Sequence, residues 1–201
     1  MKFKISVLFF CMAASILATA QTADKKDNMR LAKLNAAGTY PLIKASKFSG
    51  VLPVSGITEK PDSNLKYKLL ISLTAGTGDP EKIKELNRGL AEVGRIINLH
   101  LAAGVPKRNM EVVIVVHGKA LYALLNNEAF KKAYKVDNPN ADIIQELEGA
   151  GAKFIACGQA MQFLEVKNEQ LLPSVKIALA AKVAISTYQL KGYALFEIDE
   201  Q

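Results

Sequence analysis

Residues 110–118 read MEVVIVVHG, and this stretch decides the class of fold. Apart from Glu111, residues 110–116 are all apolar. A run of this length without polar alternation predicts a strand that is buried on both faces. Strands of that kind are typical of a parallel sheet with helices packed on each side. The stretch therefore predicts an α/β fold, with the strand ending at His117 and Gly118.

Three other segments predict strands of the same sheet: residues 67–74, 153–156 and 193–198. Helical patterns separate them. The most regular pattern places apolar residues at steps of three and four between Ile83 and Leu101, behind an N-cap at Asp79 and before Gly104. We expect further helices over residues 120–134, 138–148 and 174–190. This alternation predicts a three-layer α/β/α sandwich with a mostly parallel sheet.

Unusual residues follow three of the predicted strands. They lie in three short segments: residues 74–77, residues 117–119, which begin with His117, and residues 157–159, which begin with Cys157. Parallel strands joined by right-handed crossovers end at one edge of the sheet, where ligands of such folds bind. The sequence therefore predicts a site at this edge, with Cys157 and His117 as its candidate residues.

Each candidate residue has two interpretations. Cys157 precedes Gly158 and a predicted helix start, and the free N–H groups of a helix N-terminus stabilise a thiolate. The other interpretation is a small buried apolar residue that closes the strand. His117 either fills the sheet edge, bonded to backbone, or acts as an acid/base or charge partner of the Cys157 thiolate.

Other site types lack their sequence signals. Gly76-Thr77-Gly78 has neither the Lys-Ser/Thr of a P-loop nor the three-glycine dinucleotide pattern. The two histidines and Cys157 are too far apart in sequence to argue for zinc. We expect no cofactor and no metal, and no hydrolase motif is present.

The first 20 residues resemble a secretory signal peptide, with Lys2 and Lys4 before an apolar segment and Ala18-Thr19-Ala20 before the cleavage point. A retained membrane anchor is the alternative, but the uncharged run is shorter than a spanning helix prefers. We expect an exported protein, periplasmic or extracellular, without a membrane segment after cleavage. Removal of Cys11 would leave Cys157 as the single cysteine.

Composition excludes several classes. Half of the 201 residues are apolar, which excludes a disordered chain, and two cysteines are too few for a disulfide scaffold. The net charge of +7 is spread over scattered lysines, so we expect no nucleic-acid partner. Residues 21–64 are rich in polar residues, glycine and proline and predict an amino-terminal arm, whereas residues 65–201 carry the domain.

Three motifs resemble the DsrE/DsrF-like family: VVHG at 115–118, LEGAGAKFIACGQAM at 147–161 and YQLKGYA at 188–194. The resemblance covers residues 65–198, and the exported branch of the family carries a signal peptide. It implies a three-layer α/β/α domain that forms homo- or hetero-oligomers. In the sulfur-relay branch, the cysteine at the place of Cys157 carries sulfur as a persulfide.

Two functions of different classes follow. The first is a sulfur carrier, sulfurtransferase-like at most, in which Cys157 exchanges sulfane sulfur with a donor or acceptor protein. The second is a non-catalytic oligomeric module that binds a small ligand or a partner at the same edge. In both cases we expect a homo-oligomer.

Overall fold

The computed structural model describes residues 25–199, and a single parallel sheet organises them. The sheet has five strands in the order β4-β3-β2-β1-β5, and every neighbouring pair is parallel. The strands are β1 (Tyr67–Leu73), β2 (Met110–Val116), β3 (Lys153–Cys157), β4 (Lys176–Ala178) and β5 (Ala194–Ile198). The predicted α/β sandwich and its parallel sheet are confirmed.

Helices cover both faces of the sheet, but unequally. They are α1 (residues 25–37), α2 (Arg88–Ala102), α3 (Asn127–Tyr134), α4 (Ala141–Gly149), α5 (Gly158–Phe163) and α6 (Ala181–Leu190). The larger core lies on the face that carries Ile71, Ile114 and Phe154. The opposite face carries Val115, Ile155 and Cys157 and packs against α6. We call it the α6 face.

Two predicted helices begin later than the sequence indicated. Asp79 does not cap α2, because its Oδ1 accepts the N–H of Glu81 and closes a local turn. The α2 helix begins at Arg88, and Asn87 caps it by accepting the N–H of Leu90. Likewise, residues 120–134 are not one helix: a 3-10 helix ends at Leu124, and Asn126 then caps α3.

The predicted helix over residues 174–190 was wrong in its first half. Residues Lys176–Ala178 instead form β4, which pairs with the end of β3 along Ile155–Cys157. Pairing with β3, which is distant in sequence, determines the extended conformation of this segment and overrides its local helical propensity. Helix α6 begins only at Ala181.

The amino-terminal arm packs onto α2 through one buried side chain. The Asn98 Oδ1 atom accepts the N–H groups of Leu42 and Ile43, both at 3.0 Å. Its Nδ2 donates to the carbonyls of Ile43 at 2.8 Å and Ser49 at 2.9 Å. Asn98 is fully buried, so all of these bonds are shielded from water. The arm therefore lies on its own domain.

None of the helices within residues 25–199 combines the length and hydropathy that a membrane crossing requires. The predicted signal peptide, residues 1–20, lies outside the described residues.

Candidate functional site

Cys157 lies at the junction of three elements. It ends β3 and is the N-cap residue of α5. Its Sγ accepts the N–H of Ala160, in the first turn of α5, at 3.5 Å. The same sulfur accepts the N–H of Ala181, the first residue of α6, at 3.2 Å. Two helix starts that are distant in sequence thus direct N–H groups at one sulfur atom.

The contact with Ala181 explains how α6 begins. Ala180 is the N-cap of α6 and has no side chain that could accept a hydrogen bond. Ala181 is buried, so water does not readily satisfy its N–H. The Cys157 Sγ supplies the missing acceptor. The sulfur therefore caps the first turns of two helices at once.

Burial limits access to the sulfur. Cys157 is only 6% exposed, although Gln159 beside it is exposed. Gly158 contributes to the close packing, since a Cβ at this position would lie 2.9 Å from the carbonyl oxygen of Ala178. A reagent that reaches the sulfur must therefore be small or must displace a neighbouring group.

His117 occupies the position next to Cys157 on the sheet. Val116 pairs with Ala156 in register, so His117 and Cys157 are the next residues of adjacent strands. The N–H of His117 donates to the Leu73 carbonyl at 3.0 Å, which extends the pairing with β1. By strand alternation His117 lies on the α6 face, as Cys157 does.

The side chains of His117 and Cys157 have different partners. The His117 Nε2 lies 3.0 Å from the Ser72 Oγ on β1, and no hydrogen bond joins His117 to the Cys157 sulfur. Burial lowers the pKa of His117, which favours the neutral ring. The structure thus brings both candidate residues to one edge and one face without pairing them directly.

The glycine-rich loop after β1 packs against the loop after β2. A Cβ on Gly76 would clash with the backbone of Lys119 and Ala120. The Lys119 side chain lies along Gly78. These glycines therefore allow two loops at the carboxyl edge to contact each other closely.

The other histidine of the chain lies outside the carboxyl edge. His100 packs edge-on against Tyr67, with ring centroids 5.6 Å apart, at the amino end of β1 and away from Cys157. Within residues 25–199, no three His, Cys, Asp or Glu side chains gather in a way that could hold a metal ion.

Sequence reasoning missed two contributors to the site. Ser72 is the only polar residue in the second half of β1, and that break in an apolar run was a usable signal. The Ala181 N–H gave no signal, because neither Leu179 nor Ala180 has a capping side chain. The position of the Ala181 N–H depends on where β4 ends, and the end of β4 is set by its pairing with β3.

The fold and the site define a parallel α/β sandwich with a buried thiol at the carboxyl edge of its central strands. The chain belongs to the DsrE/DsrF-like family, whose family model matches residues 81–198.

Two solved structures are similar to the chain. One is a protein of unknown function from Methanobacterium thermoautotrophicum, MTH1491, which is 16% identical in sequence and superposes with a TM-score of 0.46. The match covers 66% of this chain and 99% of the MTH1491 chain. The ychN protein from E. coli is 15% identical with a TM-score of 0.42, again covering 66% of this chain and 99% of that one. No curated protein matches the chain.

Proposed function

We propose that this protein is an exported sulfur carrier in which Cys157 accepts sulfane sulfur from a donor and passes it to an acceptor. The observation that carries the proposal is the pair of N–H groups, from Ala160 and Ala181, that point at the sulfur. A carrier must attack as a thiolate, and backbone N–H groups at helix starts are donors of the kind that can solvate a thiolate sulfur. Membership of the DsrE/DsrF-like family supports a sulfur-relay role.

The chemistry needs no cofactor and no net redox change. The Cys157 thiolate attacks the terminal sulfur of a donor persulfide, R–S–SH. A new S–S bond forms, the donor S–S bond breaks, and the donor leaves as the thiolate R–S⁻. The products are Cys157–S–SH and the donor thiolate. An acceptor thiolate then removes the terminal sulfur by the same exchange and restores Cys157.

Intact-mass spectrometry tests the carrier directly. The purified mature protein, residues 21–201, in which Cys157 is the only cysteine, is incubated with a small-molecule persulfide. We expect the mass to rise by one sulfur atom and to return after treatment with a reductant. Cys157→Ser is the matched control and should not gain mass. A protein that stays at its original mass while folded would rule out the carrier.

The burial of Cys157 favours the second candidate, a binding module without thiol chemistry. At 6% exposure the residue could be a core residue whose sulfur only caps two helices. Alkylation with iodoacetamide at pH 7 distinguishes the two functions. A carrier should react in the folded state, whereas a core cysteine should react only in denaturant.

Export and self-association complete the proposal. Amino-terminal sequencing of the mature protein should begin at Gln21. A homo-oligomer is supported by the exposed apolar side chains of Phe163, Ile177 and Leu179, the last two on and beside edge strand β4. Unpaired strand edges of this kind favour association. Light scattering at micromolar concentration should give a mass above that of the monomer. A monomeric mass would refute the oligomer.

A further inference from the structure

Ser72 is a buried polar residue with one side-chain partner. It lies in β1 between Ile71 and Leu73, which are both fully buried, and is itself only 7% exposed. Its Oγ makes a single hydrogen bond within the described residues, to the Nε2 of His117 at 3.0 Å. An apolar side chain would suit this position on the α6 face at least as well. The reason for a hydroxyl at this position must therefore lie in its hydrogen bond to His117.

The direction of this hydrogen bond follows from the burial of Ser72. A buried hydroxyl has one hydrogen to donate and two lone pairs that can accept, so a hydrogen without an acceptor is less well tolerated than an unused lone pair. Nε2 is the only acceptor that the described residues offer to the Ser72 Oγ. Ser72 therefore donates, and Nε2 accepts without a proton of its own. The lowered pKa of His117 agrees with this, since an accepting Nε2 requires the neutral ring.

The neutral ring then carries its proton on Nδ1. This nitrogen makes no hydrogen bond within residues 25–199, so it can serve a ligand at the carboxyl edge. We propose that Ser72 is a positioning residue that fixes His117 in the Nδ1–H tautomer and so presents a hydrogen-bond donor at the carboxyl edge of the sheet, where Cys157 also lies. The inference rests on the proposed sulfur transfer and adds the group that recognises the negatively charged sulfur of the donor.

The role of His117 in the transfer is to donate a hydrogen bond, not a proton. Negative charge moves from the Cys157 sulfur to the leaving thiolate when the donor S–S bond breaks. An Nδ1–H group at the edge stabilises that charge as it develops. The imidazole stays neutral throughout, so the electron and proton balance of the transfer is unchanged.

Nitrogen NMR of the histidine rings tests the tautomer independently of any activity. The sequence holds two histidines, so protein labelled with ¹⁵N-histidine gives two ring systems, and His117→Gln assigns them. At a pH well above the ordinary histidine pKa, we expect the His117 Nδ1 to be protonated and Nε2 to be unprotonated. Ser72→Ala should shift the proton toward Nε2, and Ser72→Thr should restore the original pattern. A proton on Nε2 in the unaltered protein, or no change in Ser72→Ala, would overturn the proposal.

Sulfur loading of Cys157 gives the second readout. We expect Ser72→Ala to slow loading by about two- to tenfold, the range of one neutral hydrogen bond. Ser49→Ala is the matched control, because Ser49 is another buried serine that donates one hydrogen bond, to the Ala91 carbonyl at 2.8 Å. Ser49→Ala should lose stability but load at the original rate. If Ser72→Ala loads as fast as the unaltered protein, the positioning role is wrong. If no form loads sulfur, the proposed function fails while the NMR result still decides the tautomer.

Discussion

Replacing Cys157 by alanine, valine or serine separates its hydrogen bonds from its volume. In the native chain the sulfur fills space in the α6-face core and accepts the N–H groups of Ala160 and Ala181. Alanine removes both the volume and the acceptor. Valine keeps the space filled, with a slightly larger apolar side chain, but has no acceptor. Serine keeps an acceptor at similar size and is a preferred N-cap residue.

The expected magnitude comes from the two N–H groups. Loss of an N-cap acceptor costs about 1 kcal/mol of stability. The Ala181 N–H is buried, and leaving it without a partner costs about 1 kcal/mol more, at the low end of the range because sulfur is a weak acceptor. We therefore expect Cys157→Val to lose about 2 kcal/mol, and Cys157→Ala to lose more because it also leaves a cavity. Cys157→Ser should lose less than about 1 kcal/mol.

Urea denaturation followed by circular dichroism measures these differences. The four proteins should unfold with the same slope and with midpoints in the order native, Ser, Val, Ala. In thermal unfolding, a loss of about 2 kcal/mol corresponds to about 4–8 °C for a chain of this size. If Cys157→Val is as stable as the native protein, the sulfur only fills space. The two N–H contacts would then contribute no free energy, and they would no longer support the proposed carrier.

Four further outcomes follow from the same contacts. Burial lowers the pKa of His117 in the folded protein. Below about pH 6.5, His117 therefore binds a proton more readily in the unfolded chain than in the folded one. The free energy of unfolding should therefore fall as pH drops through this region, and His117→Gln should flatten that part of the profile. His117→Ala should slow sulfur loading by about tenfold or less. Gly158→Ala should cost about 1–3 kcal/mol in urea, because its Cβ would crowd the Ala178 carbonyl 2.9 Å away. Asn98→Ala should lower the free energy of unfolding by about 3 kcal/mol, because N–H and carbonyl groups of the arm lose their hydrogen-bond partners. Residues 38–51 should also become sensitive to protease. An arm as resistant as before would contradict its anchoring by Asn98.

Continuous apolar runs made the sheet predictable. The run at residues 110–116 corresponds residue for residue to β2, and the other predicted strands are correct to within one residue at each end. Strands buried on both faces leave this signature whatever lies around them. The convergence of His117 and Cys157 on one edge was predictable for the same reason, because parallel strands end together.

Helix starts were less predictable, because several local signals compete. Asp79 and Asn87 both have capping side chains, and the structure uses Asp79 for a turn and Asn87 for α2. The segment 174–190 has a helical composition throughout, yet its first part pairs with β3. The local sequence does not decide between two capping residues or between helix and strand, because packing against distant residues determines which conformation forms.

The sequence by itself determined the parallel sheet and the edge at which the candidate residues His117 and Cys157 lie. Only the tertiary structure decided what surrounds that cysteine. Strand β4 ends where it pairs with β3, which places the Ala181 N–H at the Cys157 sulfur, and the neighbouring strand β1 brings Ser72 to His117. These contacts join residues 24 and 45 positions apart. Periodicity reports burial along one element, whereas hydrogen bonds between elements depend on how those elements pack.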